Sequence, residues 1–187
     1  MEAIQTFTEK ENRNNMKGTI LLLFMFLSLI GYSQKLIVGS LDFLKDEKEL
    51  EINFDYSKMR IMNTTEEDFL YLKTTQRGED WRAYWNEEVK NSLRIDFVSE
   101  FNGRNVLHAS YKDNPKANYI ATAYILTVDS DGKTGFEVVF TKRGSDTILA
   151  KIKLNANGGR FGTLENLMGD AYKRAGKSLA KFLQRSI

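Results

Sequence analysis

The sequence predicts an α/β (α+β) fold in which a mixed or antiparallel sheet of about five strands is packed by three helices. Two kinds of pattern carry this prediction. Short segments in which apolar and polar residues alternate are typical of half-buried strands, and longer segments whose apolar residues recur every three or four positions are typical of helices. Towards the carboxyl end, a three-strand meander is followed by an amphipathic helix.

The amino-terminal part of the domain contains two predicted strands and a short helix. Residues 36–40 form a short apolar run that is compatible with a first strand. In "ELEINFDY", residues 49–56, every second residue is apolar, so we predict a half-buried strand. A short helix follows in "NTTEEDFLYLKTT", because Thr64 can cap it and Glu67 can reach back to the amide of the cap.

A long middle helix is predicted over residues 80–102. Its apolar residues recur at strict spacings of four: Trp81, Trp85, Val89, Leu93, Phe97 and Phe101. Because four residues overshoot a helical turn by about 40°, we expect this stripe to wind around the helix, which then buries different faces at its two ends. Asn102 and Gly103 predict a left-handed stop at the end of the helix.

The meander is predicted over residues 119–128, 136–142 and 147–155. Asp131-Gly132 lies in the first connection and residues 143–146 form the second, and both have the composition of hairpin turns. After the loop "ANGGRFG", apolar residues recur at three and four from Thr163 onward. This spacing predicts a last helix whose apolar stripe lies on the sheet.

The apolar segment "ILLLFMFLSLIGYSQ", ahead of the domain, is interpreted as an export signal. Its apolar run, residues 20–30, falls short of the roughly 20 residues that cross a bilayer. A basic start at "MK" and the small residues of "GYS" ahead of Gln34 match a secretory signal and its cleavage site. A buried core helix is the alternative, since the segment has no polar face.

These features divide the chain into three parts. We expect residues 1–15 to be an upstream extension, because they place acids ahead of what should be a basic region and Met16 is the better start. Residues 16–33 are the predicted signal peptide, and residues 34–187 are the predicted single α/β domain. Cleavage near Ser33-Gln34 predicts a periplasmic or secreted protein.

Composition excludes several kinds of chemistry. The chain has no cysteine, which excludes disulfides, thiolate nucleophiles, thiolate metal sites and a lipid-modified cysteine. Its single histidine, His108, precludes a site with two imidazole ligands in one chain. A Ser-His-Asp arrangement stays open, although a histidine at the edge of a predicted strand is more often structural or exposed. With a net charge of only +2, we predict no nucleic-acid partner, and we assign no catalytic residue, cofactor or metal.

Two short segments are candidate parts of a binding surface, one in the predicted middle helix and one in the loop ahead of the last helix. In "WRAYW", Trp81 and Trp85 share a helical face that could stack on sugar or peptide if exposed, although such a face is more often core. In "NGGRFGT", Arg160 and the glycines ahead of a helix could hold an anion. A chain that turns from a strand into a helix needs the same glycines.

Charged residues suggest three further sites, each with an ordinary explanation. On the last helix, a basic face could contact anionic lipid or an acidic partner, or complement the helix dipole: Lys173, Arg174, Lys177, Lys181 and Arg185. "DSDGKTG" superficially resembles a calcium loop, but it lacks the acids that such a loop requires and fits a tight strand connection. Helical acids could supply a hydrolytic pair, although we treat them as solvated: Glu66, Glu67, Asp68, Glu87 and Glu88.

The order of elements over residues 117–184 resembles a known kind of protein. The stretches "ANYIATAYILTVDSDG", "FEVVF", "DTILAKIKL" and "GDAYKRAGKSLAKFL" are similar to exported envelope proteins of unknown function in Bacteroidota. The folds of those proteins look like the amino-terminal domain of TolB and the curli-secretion lipoprotein, and "EINFDYSKM" and "TEEDFLYLK" look like a version seen in such families. The resemblance implies a mixed sheet packed by helices and a role in envelope assembly or binding. Unlike the lipoprotein members, this chain has no cysteine after its signal.

The sequence thus predicts a non-catalytic exported binding or envelope-assembly protein, with another envelope protein as the expected partner. Its surface is the polar face of the last helix or an open sheet edge. The alternative is a small carboxylate-dependent hydrolase or carbohydrate-handling enzyme, which requires acids clustered in a cleft and an exposed Trp81 or Trp85. A weaker alternative is peripheral contact with the membrane through the basic last helix.

Overall fold

The computed structural model describes residues 34–187. The predicted upstream extension and signal peptide, residues 1–33, lie outside the described residues. Within residues 34–187, eight strands form one mixed sheet: β1 (Gln34–Gly39), β2 (Glu49–Asp55), β3 (Arg60–Ile61), β4 (Thr64–Thr65), β5 (His108–Ser110), β6 (Tyr119–Val128), β7 (Thr134–Lys142) and β8 (Ile148–Ala156). The five predicted strands correspond to β1, β2, β6, β7 and β8, so the predicted fold class is confirmed.

The three predicted helical runs are also present. The short helix is α1 (Glu66–Arg77). The run that we call the middle helix consists of α2 (Asp80–Tyr84), a π-helical turn (Trp85–Val89) and α3 (Lys90–Asn102), which follow one another without a break. The last helix is α4 (Leu164–Ser186). No helix in residues 34–187 is both long and apolar enough to cross a bilayer.

The sheet changes from antiparallel to parallel along its width. Its order is β1-β8-β7-β6-β2-β5, and the neighbours from β1 to β6 are antiparallel, as the predicted meander requires. β2 pairs in parallel with both β6 and β5, because helices and loops carry the chain back between these strands. β3 lies beyond the end of β2 along the same side of β6 and forms a hairpin with β4.

The middle and last helices pack on one face of the sheet, which we call the inner face. Alternate residues of the central strands are fully buried there: Ala121, Ala123, Ile125, Phe136, Val138, Phe140, Ala150, Ile152 and Leu154. Phe136 joins the layers, because its ring lies 6.0 Å from that of Phe97 in the middle helix and 5.1 Å from that of Tyr172 in the last helix. The opposite face, which we call the outer face, is covered by none of the helices in residues 34–187.

Glycines bring the last helix close to the middle helix. A Cβ atom at Gly176 would overlap the carbonyl oxygen of Phe97, so the helices cross at a distance that only glycine permits. Two turns earlier, Gly169 faces Asp96, and a Cβ atom there would lie 3.2 Å from the Asp96 carboxylate. The crossing therefore positions the polar residues that lie on the solvent side of both helices.

The predicted helix cap is wrong by one residue. Thr65 caps α1, since its hydroxyl accepts a hydrogen bond from the amide of Asp68 at 3.1 Å. Thr64 instead lies in β4, and its hydroxyl donates to the carbonyl of Ile61 at 2.8 Å. Thr64 is part of the short β3–β4 hairpin, and strands of two residues are too short to show a periodicity in the sequence.

Two predictions about the middle helix are also corrected. The helix ends at Asn102, but Gly103 has a φ of −61°, so the predicted left-handed stop is absent there. The Asn102 side chain instead brackets Ala109 of β5 with hydrogen bonds of 2.7 and 2.9 Å. The apolar stripe stays buried along the whole helix, because the π-helical turn takes up extra residues and offsets the drift of a four-residue spacing.

Candidate functional site

The two tryptophans do not form a binding surface. Trp81 is 6% exposed and Trp85 is fully buried, so the core interpretation is confirmed and the aromatic platform is excluded. Their rings stack at 5.4 Å and enclose Phe69 of α1. The Trp85 indole N–H donates a hydrogen bond to the Glu66 carboxylate at 2.7 Å, so the polar atom of this buried side chain has a partner.

The glycine-rich loop ahead of the last helix is built for close packing. Gly158 lies against the backbone carbonyl of Asp131, and Gly159 lies against the carboxylate of Asp170, so neither position has room for a side chain. The guanidinium of Arg174 donates to the carbonyls of Asn157 and Gly158 and holds the loop on the helix. A carboxylate beside these glycines opposes anion binding, and the anion site at Arg160 stays a prediction.

The turn that resembles a calcium loop uses its first acid internally. The carboxylate of Asp129 accepts hydrogen bonds from the amides of Asp131 at 3.0 Å and Lys133 at 2.9 Å. Gly132 takes the positive φ of 71° that such a turn needs. Within residues 34–187, no cluster of acids or histidine has the arrangement of a metal site.

The three predicted lysines of the last helix lie in different surroundings. Lys173 is exposed and forms an ion pair with Asp96 of the middle helix at 3.6 Å. Lys177 is exposed and Lys181 is half-buried, and neither forms an ion pair within residues 34–187. The predicted basic face therefore begins with a lysine that is already neutralised by an acid from the neighbouring helix.

That ion pair lies in a groove between the middle and last helices. The groove has a volume of about 610 Å³ and is lined by Tyr84, Glu88, Val89, Ser92, Leu93, Asp96, Glu165, Asn166, Gly169, Asp170 and Lys173. Gly169 contributes no side chain, so it leaves room between the helices where they diverge from their crossing at Gly176. The charged residues of the described lining are four carboxylates and one ammonium group, which makes the groove acidic.

Burial and neighbouring groups shift the pKa of two carboxylates of the groove. Burial raises the pKa of Asp96, and the negative charges of Asp170 and Glu100 raise it further, against the opposing effect of Lys173. Burial also acts to raise the pKa of Glu165, but hydrogen bonds from the Thr163 hydroxyl and the Glu165 amide and the positive charge of Arg77 outweigh it and hold that pKa below its ordinary value. Burial and nearby acids thus disfavour the negative charge of Asp96, so a cation in the groove would stabilise it.

An exposed aromatic side chain lines the groove. Tyr84 belongs to the lining and is 48% exposed. An acidic groove that contains an exposed aromatic ring can receive a segment that carries both positive charge and apolar surface.

The sequence revealed only part of this arrangement. Glu88 and Lys173 were predicted as members of separate charged faces, whereas Asp96, Glu165 and Asp170 were missed. A signal was present in "LMGDAYKRAGKS", because glycines inside a helical pattern often mark a close approach of another element. Among the acids considered for hydrolysis, the three in α1 have structural partners, as Glu67 does in its paired hydrogen bonds with Arg82.

Comparisons with known proteins add little to this picture. No protein family matches the chain, and no curated protein sequence matches it. Among solved structures, the chain is similar to a PelC dodecamer from Paraburkholderia phytofirmans, with 9% identity over 79% of this chain and 96% of that chain and a TM-score of 0.42. A single-residue variant of the same PelC dodecamer has 10% identity over 79% of this chain and 97% of that chain, again with a TM-score of 0.42. At this TM-score the likeness carries no functional argument.

Proposed function

We propose that the protein is a non-catalytic exported binding or envelope-assembly protein, and that its groove receives a cationic segment of another envelope protein. The signal-like segment ahead of Gln34 and the resemblance over residues 117–184 support a location in the cell envelope. The groove supports binding, because it is a recess whose described lining holds more carboxylates than cations and includes the exposed Tyr84 ring.

The single observation that carries the proposal is the excess of carboxylates in the groove. Glu88 and Asp96 come from the middle helix, whereas Glu165 and Asp170 come from the last helix. Among the described lining residues Lys173 is the only cation, and Arg77, outside the lining, pairs with Glu165 at 3.1 Å. Like charges brought together across a helix crossing cost stability. A ligand of opposite charge would recover that cost on binding.

Photo-crosslinking in the native host tests this proposal. A photoreactive phenylalanine analogue is placed at Tyr84, which lines the groove, or at Leu72, which is similarly exposed (48% and 52%) and is not part of the groove lining. We expect a dominant envelope adduct from position 84, lost when Asp170→Lys is added, and none from position 72. The amino-terminal peptide of the same sample should begin at Gln34. Identical adducts from both positions, or an adduct that survives Asp170→Lys, would contradict the proposal.

A second candidate function is the carboxylate-dependent hydrolase. The observation that favours it is Asp96, an acid with a raised pKa in a cleft beside a second carboxylate, Asp170. The burial of Trp81 and Trp85 counts against it, because it removes the aromatic platform expected for carbohydrate. Release of soluble fragments from isolated cell-envelope polysaccharide, lost with Asp96→Asn, would support this function; no release at any pH between about 4 and 8 would end it.

Attachment to anionic lipid through the last helix has less support. The groove places Asp170 and Glu165 on the same helix as Lys173, and these acids would repel an anionic surface. Lys177, Lys181 and Arg185 are left to make the contact, and three cations contribute only about 3 kcal/mol at such a surface.

A further inference from the structure

One end of the outer face of the sheet has a charge opposite to that of the groove. Strand register places Asp55, Tyr124, Glu137, Lys153 and Lys35 in one row across this face, from β2 to β1. The next row ends in Lys151 and Val38. Lys151 is paired with Glu137 at 3.6 Å, and Lys58 lies over the Tyr124 ring at 4.7 Å. Cations therefore predominate where these rows reach β8 and β1, whereas the β2 end of the face carries Glu51 and Asp55.

The end of that row is electrostatically unfavourable in isolation. Lys35 and Lys153 lie directly opposite each other on neighbouring strands, both are exposed, and neither has an ion pair within residues 34–187. Like charges in such cross-strand positions are destabilising. Two apolar side chains of the same outermost strand are also exposed, Ile37 by 48% and Val38 by 46%. We call the surface formed by these four residues the lysine edge.

The lysine edge and the acidic groove lie on opposite sides of the two-layer fold. The groove is on the solvent side of the helices, whereas Lys35 and Lys153 are on the sheet face that the helices leave uncovered. A twofold contact of groove with groove, or of edge with edge, would bring like charges together. Contact of the groove of one copy with the edge of another brings opposite charges together and covers apolar side chains at both surfaces.

We propose that a second copy of this chain is a ligand of the groove, and that copies associate head to tail through the lysine edge. The inference rests on the proposed function in that it uses the same groove. Because the two surfaces differ, each contact leaves one groove and one edge free, so association continues into a chain or closes into a ring. The contact is electrostatic and weakens as ionic strength rises.

Complementation between two variants tests the inference. The edge variant carries Lys35→Glu and Lys153→Glu, and the groove variant carries Glu88→Gln and Asp170→Asn. In sedimentation velocity on protein purified from cells that express the full chain, we expect wild-type association at low salt and at least about tenfold weaker association for either variant alone. Mixing the variants should restore a complex that stops at two copies, since only one intact groove meets one intact edge. This result also shows that both variants are folded.

A matched control changes two lysines away from the edge, Lys48→Glu and Lys116→Glu, which are exposed and give the same change in net charge. It should associate as the wild type does. A wild type that stays monomeric at about 100 µM in low salt would overturn the inference, because a contact with a Kd below about 100 µM is populated at that concentration. A mixture of the two variants that stays monomeric would also overturn it. If the purified protein is monomeric but position 84 crosslinks a different envelope protein in cells, the proposed function stands alone; if association occurs and no envelope protein is crosslinked, only head-to-tail assembly stands.

Discussion

Glu51 shows, at the scale of single residues, how this fold accommodates a buried charge. Its carboxylate is 7% exposed and pairs with the Arg143 guanidinium at 2.5 Å. It also accepts hydrogen bonds from the amide of Asn114 at 3.0 Å and from the Asn53 side chain at 3.1 Å. These contacts fasten the loop before β6 and the β7–β8 turn to β2, so the group is fully engaged in structure.

Glu51→Gln should therefore destabilise the protein. The substitution removes the ion pair with Arg143 and leaves the remaining hydrogen bonds with a neutral acceptor, which costs about 2 kcal/mol for hydrogen bonds to a charged group. The free energy of unfolding in urea measures this loss. Glu47→Gln is the control, because Glu47 is a more exposed acid that bonds only the Asn118 side chain, and it should change the free energy by less than about 0.5 kcal/mol.

Glu51 should also make the protein less stable in acid. Burial acts to raise the pKa of Glu51, but the Asn114 amide, Arg143 and Asn53 outweigh it and hold the pKa below its ordinary value of 4.5. A lowered pKa means that the unfolded state binds the proton more readily, so the contribution is full above about pH 4.5 and is lost as the pH falls through the folded-state pKa. Urea unfolding of wild type and Glu51→Gln should differ at pH 7 and converge at lower pH. A difference that is constant with pH would contradict this assignment.

Asp96 should behave in the opposite way. Its pKa is raised, so the folded state binds the proton more readily than the unfolded state, and ionised Asp96 lowers stability above its folded-state pKa. Asp96→Asn should raise the free energy of unfolding at pH 7 by up to about 1 kcal/mol, since the group is partly exposed and paired with Lys173. A gain in stability together with a loss of binding would identify Asp96 as a residue kept for function. A loss of stability at pH 7 would contradict the electrostatic account of the groove.

At the scale of elements, the crossing of the middle and last helices determines where the groove lies. Gly176 is pressed against the backbone of Phe97, and Gly169 leaves the space beside Asp96 that the groove occupies. The rings of Phe97 and Tyr172 then anchor both helices on Phe136 of the sheet. The position of the acids thus depends on a backbone contact rather than on the acids themselves.

Gly176→Ala tests that dependence. The added methyl group would overlap the Phe97 carbonyl oxygen, and a backbone atom cannot move aside as a side chain can, so we expect a loss of about 3 kcal/mol. Gly103→Ala is the control, because Gly103 has a φ of −61° and a Cβ there would make only ordinary contacts at 3.6 Å. It should be neutral or slightly stabilising. Equal effects of the two substitutions on the unfolding midpoint would show that the crossing is looser than described.

Elements were predictable from the sequence where local periodicity was strong. The alternation in β2 and the three-and-four spacing of the last helix both correspond to buried faces. The β3–β4 hairpin was missed because two-residue strands cannot display a period. β5 was indicated only by the strand edge at His108, and it is positioned by the side chain of Asn102 at the end of α3. The π-helical turn was missed for a related reason: the four-residue spacing is also compatible with an ordinary helix.

At the scale of the whole molecule, the groove could not be predicted because its parts are distant in sequence. Asp96 and Asp170 meet only after the chain has passed through β5 and the complete meander. The opposite charge of the groove and of the lysine edge is equally invisible in a net charge of +2, since the acids of the helices and the lysines of β1 and β8 cancel in the sum. The burial of the two tryptophans, in contrast, is predictable from the sequence, because their spacing places both on one helical face and such a face is more often core.

If the proposed function is right, the acids of the groove bind a cationic segment at that place, and binding does not simply follow the net charge of the protein. The most direct measurement is the affinity of fluorescently labelled pentalysine, by anisotropy, for the wild type, for Asp96→Asn with Asp170→Asn, and for Asp46→Asn with Asp146→Asn. The last pair removes the same charge from exposed positions outside the groove. We predict that the groove pair weakens binding about fivefold or more, which corresponds to about 1 kcal/mol, and that the exposed pair weakens it less than about twofold. Equal weakening by both pairs would mean that pentalysine responds to overall charge, and would contradict the claim.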